Sequence, residues 1–369
     1  EMLRSLVGSE MCIRDRYLGG IHMKLKKLFA GVVAAAMIAT MSFPAFAEGE
    51  EVVPSGPSIK KTYKLTNAGT VSPTENFTFT AVATKVLHAG MKNGQPVTAE
   101  DAPALTIAQA EYGQGNATVD GSDKVLAVSP TVEFPNVGVY YYTVTENAST
   151  YAGVTTQTGN MLLKVTVAYD EHDQLTKTYA FYTATNENGE GQGTKNQAVE
   201  NTYSAGTLDV SKKVTGSLGD KSKKFDVDVT FTAPAGKTVE APITYTENDV
   251  EKKIEKADWV NGSAKVTIHL AHGEHIVFNN IPYDVTYTVV EADYTAEANG
   301  GYDAASYNFS DKSDIKKLDS AAETVEITNN NGAMIDTGVI LDNAPYMLML
   351  AVVAGGAMTL VIKKRREEE

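Results

Sequence analysis

One order of segments occurs twice in this chain, and it constrains the fold more than any single motif. A lysine-bearing alternating run opens each copy, "SIKKTYKLT" from Ser58 and "TLDVSKKVTG" from Thr207. A Phe-rich alternating run follows, "ENFTFTA" in the first copy and "KKFDVDVTF" in the second. Then comes Phe-x-Asn-apolar leading into Tyr-Thr-Val-x-Glu, as "FPNVGVYYYTVTE" ending at Glu146 and "FNNIPYDVTYTVVE" ending at Glu291. Each copy closes on a short run with asparagine, "AVENTY" from Ala198 and "VEITNNN" from Val325. Period-two alternation broken by Gly, Asn, Asp and Pro, without a sustained 3.6 period, reads as all-β. A doubled set of strands divides the chain into two tandem β-sandwich domains. We expect them at residues 58–204 and 205–333, meeting near Ser204-Ala205-Gly206, after a linker at 48–57. The segment from Ala83 to Pro130 cannot be placed strand by strand.

Alternate side chains on a strand share a face, so the apolar residues say which polar ones point inward. Ile59, Tyr63 and Leu65 select Lys61 over Lys60, and Leu208, Val210 and Val214 select Lys212 over Lys213. Tyr142 and Val144 carry Glu146 inward, and Tyr287 and Val289 do the same for Glu291. Val199 carries Asn201, and Val325 with Ile327 carries Asn329. Each half therefore aims one Lys, one Glu and one Asn at its core.

Buried charge is costly unless paired. Solvated strand ends are the plain alternative for any one of these residues, since Lys and Glu are mostly exposed; the repetition of all three argues against it. The chemistry that uses such a set is an intramolecular Lys–Asn isopeptide bond. Burial disfavours both charges, freeing the amine of Lys61 or Lys212 to attack Asn201 or Asn329, while a protonated Glu146 or Glu291 polarises the amide carbonyl. Ammonia leaves. Neighbouring first and last strands supply the effective molarity. The chain modifies itself without turnover, so it is not expected to be an enzyme.

The termini mark an exported protein. Met23-Lys-Leu-Lys-Lys is a positive n-region, residues 28–41 an apolar h-region, and Ala45-Phe46-Ala47 a small-residue cleavage site, so residues 23–47 read as a signal peptide. Residues 1–22 resemble translated adapter sequence and are left out of the fold expectation, which removes Cys12, the only cysteine. Without disulfides an exported chain needs another source of toughness. Near the other end, residues 346–362 carry no charge and just reach the roughly 17–25 residues a bilayer span needs. Lys363, Lys364, Arg365 and Arg366 follow and stay on the cytoplasmic side. A net charge of −14 without a basic stripe argues against nucleic-acid binding.

The Lys–Glu–Asn pattern, "TLDVSKKVTG", "YTVVEADY", "VEITNNN" and the C-terminal signal together resemble Gram-positive major pilin subunits of the streptococcal type, over roughly residues 58–369. That resemblance implies two tandem immunoglobulin-like β-sandwich domains cross-linked at Lys61–Asn201 and Lys212–Asn329. It also implies a sortase signal at 334–369, cut between Thr337 and Gly338. Met334-Ile335-Asp336-Thr337-Gly338 keeps the Thr-Gly of the family's Leu-Pro-x-Thr-Gly and lacks its Leu and Pro. Implied partners are a sortase, identical neighbouring subunits, peptidoglycan, and tip and basal pilins. The implied place is the cell wall, with membrane attachment only before cleavage. The family's Tyr-Pro-Lys-Asn acceptor motif is absent, and Lys195 resembles the polymerisation lysine of the streptococcal-type shaft; a solvated loop lysine is the plain alternative. A wall-anchored monomeric adhesin shares the same sorting signal and is the second functional reading. No catalytic constellation suggests a secreted hydrolase.

Other signals are weaker. His269, His272 and His275 lack a fourth ligand, and "HLAHGEH" reads as a hairpin tip, so no metal site is assigned. "GEGQGT" from Gly189 lacks the Gly-Lys-Ser/Thr of a phosphate loop and reads as a flexible loop. No cofactor is implied.

Overall fold

The computed structural model describes residues 56–186 and 188–332. The expected leader, signal peptide, sorting signal, Thr337, Gly338 and membrane span lie outside the described residues. Among the described residues no helix is long and apolar enough to cross a membrane.

The chain is all-β, and the alternation explains why. Along Phe225–Thr232 the side chains of Phe225, Val227, Val229 and Phe231 are fully buried, and the intervening polar residues face outward. The first half builds two five-stranded sheets. One runs in the order Val154–Thr155, Ala198–Tyr203, Ser58–Leu65, Ser122–Pro130, Leu105–Ile107. The other runs Gly191–Lys195, Leu175–Thr185, Met161–Tyr169, Gly138–Glu146, Phe79–Leu87. Ile59, Tyr63 and Leu126 from one sheet and Tyr140, Tyr142, Leu163 and Val165 from the other share a single core. The second half pairs a six-stranded sheet with a three-stranded one. The larger has the order Val250–Ile254, Ile243–Glu247, His275–Pro282, Ala205–Thr215, Ala322–Asn330, Ser306–Phe309. The smaller has Phe225–Thr232 between Ser263–Leu270 and Thr286–Glu291. Leu208, Val210, Phe231, Phe278 and Val325 belong to its core.

In both halves the first and last strands are parallel neighbours: Ser58–Leu65 beside Ala198–Tyr203, and Ala205–Thr215 beside Ala322–Asn330. Parallel pairing cannot be closed by a tight hairpin, so everything between the two strands must form the rest of the sandwich.

A single residue, Ser204, separates Tyr203 at the end of the first set from Ala205 at the start of the second. Around this short connection the halves are stitched together. Asn280, held at φ +63°, accepts from Val71 N at 2.9 Å and donates to Val71 O at 3.1 Å and Pro242 O at 3.2 Å. Ala152 N donates to Thr238 O at 2.8 Å and Thr238 N to Thr150 O at 3.0 Å, seating Ala152 in the second core.

Three local expectations change. The segment from Ala83 to Pro130 resolves into short strands, among them Leu105–Ile107 and Ala110–Tyr112, which pair with distant partners and have no long alternation of their own. "HLAHGEH" is not a hairpin: Ser263–Leu270 and His275–Pro282 lie in different sheets, and the turn at Gly273, φ +80°, arches between them. "GEGQGT" is not a free loop, because Gly191–Lys195 pairs antiparallel with Leu175–Thr185.

Candidate functional site

Each inward set converges on one pocket. In the first, Lys61 lies opposite Val199 and Asn201 opposite Tyr63, which puts the lysine and asparagine on one face of the parallel pair, two residues apart in register. Glu146 reaches in from the facing sheet as the last residue of Gly138–Glu146. Lys61 Nζ stands 2.9 Å from Glu146 Oε1, with the two side chains 0% and 3% exposed. Asn201 Nδ2 donates to the same Oε1 at 2.8 Å, and Asn201 Oδ1 accepts from Gln157 N at 2.9 Å. Glu146 Oε2 is buried without a hydrogen-bond partner. The Phe77 ring centroid lies 4.5 Å from Lys61 Nζ, and Phe77 is edge-to-face with Tyr63 and Tyr112. Tyr112 Oη donates to Lys61 O at 3.0 Å and fixes the lysine main chain.

The second pocket repeats the plan. Lys212 lies opposite Ile327 and Asn329 opposite Val214, the same register offset. Lys212 Nζ contacts both Glu291 Oε2 and Asn329 Oδ1, and Asn329 Nδ2 donates to Glu291 Oε1 at 2.6 Å. Lys212 and Glu291 side chains are both fully enclosed. Phe225 replaces Phe77, its ring centroid 4.1 Å from Lys212 Nζ.

The electrostatics follow from burial. Loss of water pulls the Lys61 amine down to about 8, against the opposing pull of Glu146. The same desolvation lifts Glu146 above the usual carboxylate range, although Lys61 and Asn201 oppose it. Lys212 is also lowered, chiefly by burial, with Glu291 opposing. An amine moved toward neutrality beside a primary amide is a nucleophile next to an acyl group. The carboxyl groups, however, meet the amide nitrogens and not the carbonyls, since a carboxylate oxygen accepts and the NH2 group donates. That is a different place from the one the sequence suggested, and it suits proton transfer to the departing nitrogen.

All six of the inward residues named from sequence therefore meet in two groups of three. Lys195 is exposed and sits on Gly191–Lys195, at the edge of its sheet, opposite Tyr182, so it is an edge-strand and not a loop lysine. The three histidines have separate partners. His269 Nδ1 is 3.0 Å from Glu247, His275 Nδ1 is 3.1 Å from Asp209, and His272 Nδ1 accepts from Val214 N. Among the described residues no group of three or more His, Cys, Asp or Glu is placed to hold a metal. Sequence reasoning missed the aromatic floors and Gln157. The floors were signalled by an inward-facing Phe on the strand after each lysine strand, Phe77 closing Glu75–Phe77 and Phe225 opening Phe225–Thr232; Gln157 had no signal.

Residues 57–204 match the family described as the Spy0128-like isopeptide containing domain, and residues 206–331 match a domain of unknown function, DUF7601. A pilin of Streptococcus pyogenes serotype M1 is 28% identical over 362 residues, covering 93% of this chain and 99% of that protein. The pilus tip adhesin Cpa of Streptococcus pyogenes is 27% identical over 138 residues, 37% of this chain and 18% of the adhesin. The crystal structure of the major pilin from Streptococcus pyogenes is 22% identical, covers 74% of this chain and 98% of its own, and superposes with a TM-score of 0.47. The first half is thus similar to the Spy0128-like isopeptide containing domain, and the chain is similar along nearly its whole length to a streptococcal pilin.

Proposed function

We propose that the chain is the structural shaft subunit of a covalently polymerised pilus on a Gram-positive cell surface, stiffened by two self-formed bonds, Lys61–Asn201 and Lys212–Asn329. The observation that carries this reading is the buried Lys–Glu–Asn group between first and last strands, present twice with the same register offset. In each pocket the lysine passes a proton to the glutamate, and the neutral Nζ attacks Cγ of the asparagine. The glutamate returns that proton to Nδ2 and takes up the second proton that Nζ must lose; the Cγ–Nδ2 bond breaks, and ammonia departs as the neutral Nζ–Cγ amide remains beside a protonated glutamate. The reactants are held beside one shared glutamate by packed strands, which replaces an improbable encounter with a unimolecular step. Glu146 and Glu291 act as proton carriers. The product is a modified structural protein and not a turnover catalyst.

Polymerisation would join Thr337, after sortase cleavage before Gly338, to Lys195 of an identical neighbour, and the last subunit to peptidoglycan. Similarity across 99% of a pilin, against 18% of a tip adhesin, supports shaft over tip. The test is a boiled cell-wall extract with the cognate sortase expressed. A ladder of high-mass bands is expected, collapsing in Lys195→Ala and disappearing with anchorage in Thr337→Ala. A single monomeric band in the wild type would favour the monomeric adhesin; a ladder that survives Lys195→Ala would move the acceptor to another lysine.

A further inference from the structure

We propose that the main-chain N–H of Gln157 is the oxyanion donor of the first pocket, and that formation of the Lys61–Asn201 bond depends on it; this rests on the cross-linking reading above. The strand Val154–Thr155 runs antiparallel to Ala198–Tyr203, with Val154 opposite Tyr203 and Thr155 opposite Thr202. Continued by two residues, that register brings Gln157 opposite Glu200. The main-chain ladder does not run on there. Two side chains take its place: Gln157 N donates to Asn201 Oδ1 at 2.9 Å, and Glu200 N donates to Gln157 Oε1 at 3.0 Å. Gln157 is thus latched to the residue before the reactive asparagine while its own N–H is aimed at the reactive carbonyl.

The chemistry needs a donor there. When Lys61 Nζ adds to Asn201 Cγ, the π electrons of the carbonyl move onto Oδ1, and that oxygen becomes an alkoxide until the Cγ–Nδ2 bond breaks. Glu146 is occupied with Nδ2 and Nζ and does not reach Oδ1. Asn201 is fully buried, so water is not at hand to solvate the charge. A fixed amide N–H in such a site needs no reorganisation as charge develops, and removing one such donor slows acyl transfer by about 100- to 1,000-fold. The second pocket is arranged differently, with Asn329 Oδ1 in contact with Lys212 Nζ itself. The dependence on Gln157 therefore belongs to the first bond alone, and the second serves as a control within the same chain.

The experiment follows both bonds by intact mass and cross-linked peptide mapping in pulse-labelled full-length protein. Gln157→Pro removes the N–H; Gln157→Ala keeps it and removes the side-chain latch. Expected is a first bond slowed by about 100-fold or more in Gln157→Pro, a second bond at the wild-type rate, and Gln157→Ala within about tenfold of wild type on the first bond. To separate a lost donor from a misfolded strand, the α-hydroxy acid analogue of glutamine is placed at position 157, exchanging only N–H for O, and must show the same slowing. A first bond at the wild-type rate in that ester variant overturns the proposal, as does Gln157→Ala slowing it as much as the ester. A wild-type protein lacking the first bond would instead defeat the cross-linking reading itself.

Discussion

Lys212 and Asn329 are not cross-strand partners: Lys212 pairs with Ile327, and Asn329 sits two residues further along, opposite Val214. Lys61 and Asn201 show the same offset, with Val199 opposite the lysine. Diagonal neighbours across a strand pair stand roughly 7–8 Å apart, within reach of a long side chain. An extended lysine spans that diagonal, and a directly opposed pair would have to fold the same chain back on itself. The offset also keeps both residues on the core side, because two residues is one full period of a strand.

The first prediction is chemical. Intact mass of the mature chain should fall short of its sequence mass by two ammonias. Glu291→Ala should restore one and leave the Lys61–Asn201 peptide intact, and Glu146→Ala should do the reverse. A full unmodified mass in the wild type would refute both bonds at once.

Removing one charge from a pocket should cost more than removing both. In an Asn329→Ala background, where the second bond cannot form, Lys212→Met leaves Glu291 enclosed without its cation and should lose about 3–5 kcal/mol of stability. Adding Glu291→Leu should recover much of that loss, because an apolar pair needs no compensation. Urea unfolding of the three variants measures this, and a double variant weaker than the single one would contradict it.

The Lys61 amine gives a pH signature. In Asn201→Ala the amine stays free, and its folded value of about 8 lies below the unfolded value near 10.4. Between those values the unfolded chain holds a proton that the folded chain has released, so stability from this group rises with pH across that window. Below about 8 both states are charged and the slope vanishes. Comparing urea midpoints at pH 8 and pH 10 with those of Lys61→Met in the same background isolates the contribution, since the buried tyrosines, pushed up by burial, add the same slope to both proteins. Equal slopes in the two proteins would count against the buried amine.

Asn280 should govern the stitch between the two halves. Asn280→Ala removes one acceptor and two donors and strands the main chain of Val71; the expected loss is about 1–3 kcal/mol. Hydrogen exchange at the Val71 amide should speed up while the amides of Phe225–Thr232 keep their protection. Unchanged exchange at Val71 would mean that the stitch is held elsewhere.

Both pockets were legible in the sequence because parity is a local property. Tyr142 and Val144 fix the side on which Glu146 falls, whatever the rest of the chain does. The doubling then separated meaning from coincidence. What could not be read depends on distant pairing. Leu105–Ile107 and Ala110–Tyr112 are three residues each, too short for a period to register, and exist because of strands far away in sequence. The turn at Gly273 misled because the same residues serve a hairpin and an arch between sheets. Gln157 acts through its main chain, which any residue but proline would supply, so its side chain left no trace of the role.

The parallel pairing of first and last strands also sets how a load would travel. A chain that enters at Ser58 and leaves at Tyr203 along parallel neighbours enters one end of the sandwich and exits the other, and the second set repeats this from Ala205 to Asn330. Antiparallel terminal strands would return the chain to the end where it began, and tension would peel their hydrogen bonds apart one at a time. Here a pull on the two ends slides the strands past each other, so the whole row of bonds must shear together. The topology is that of a link in a chain, in line with the force before any cross-link is made.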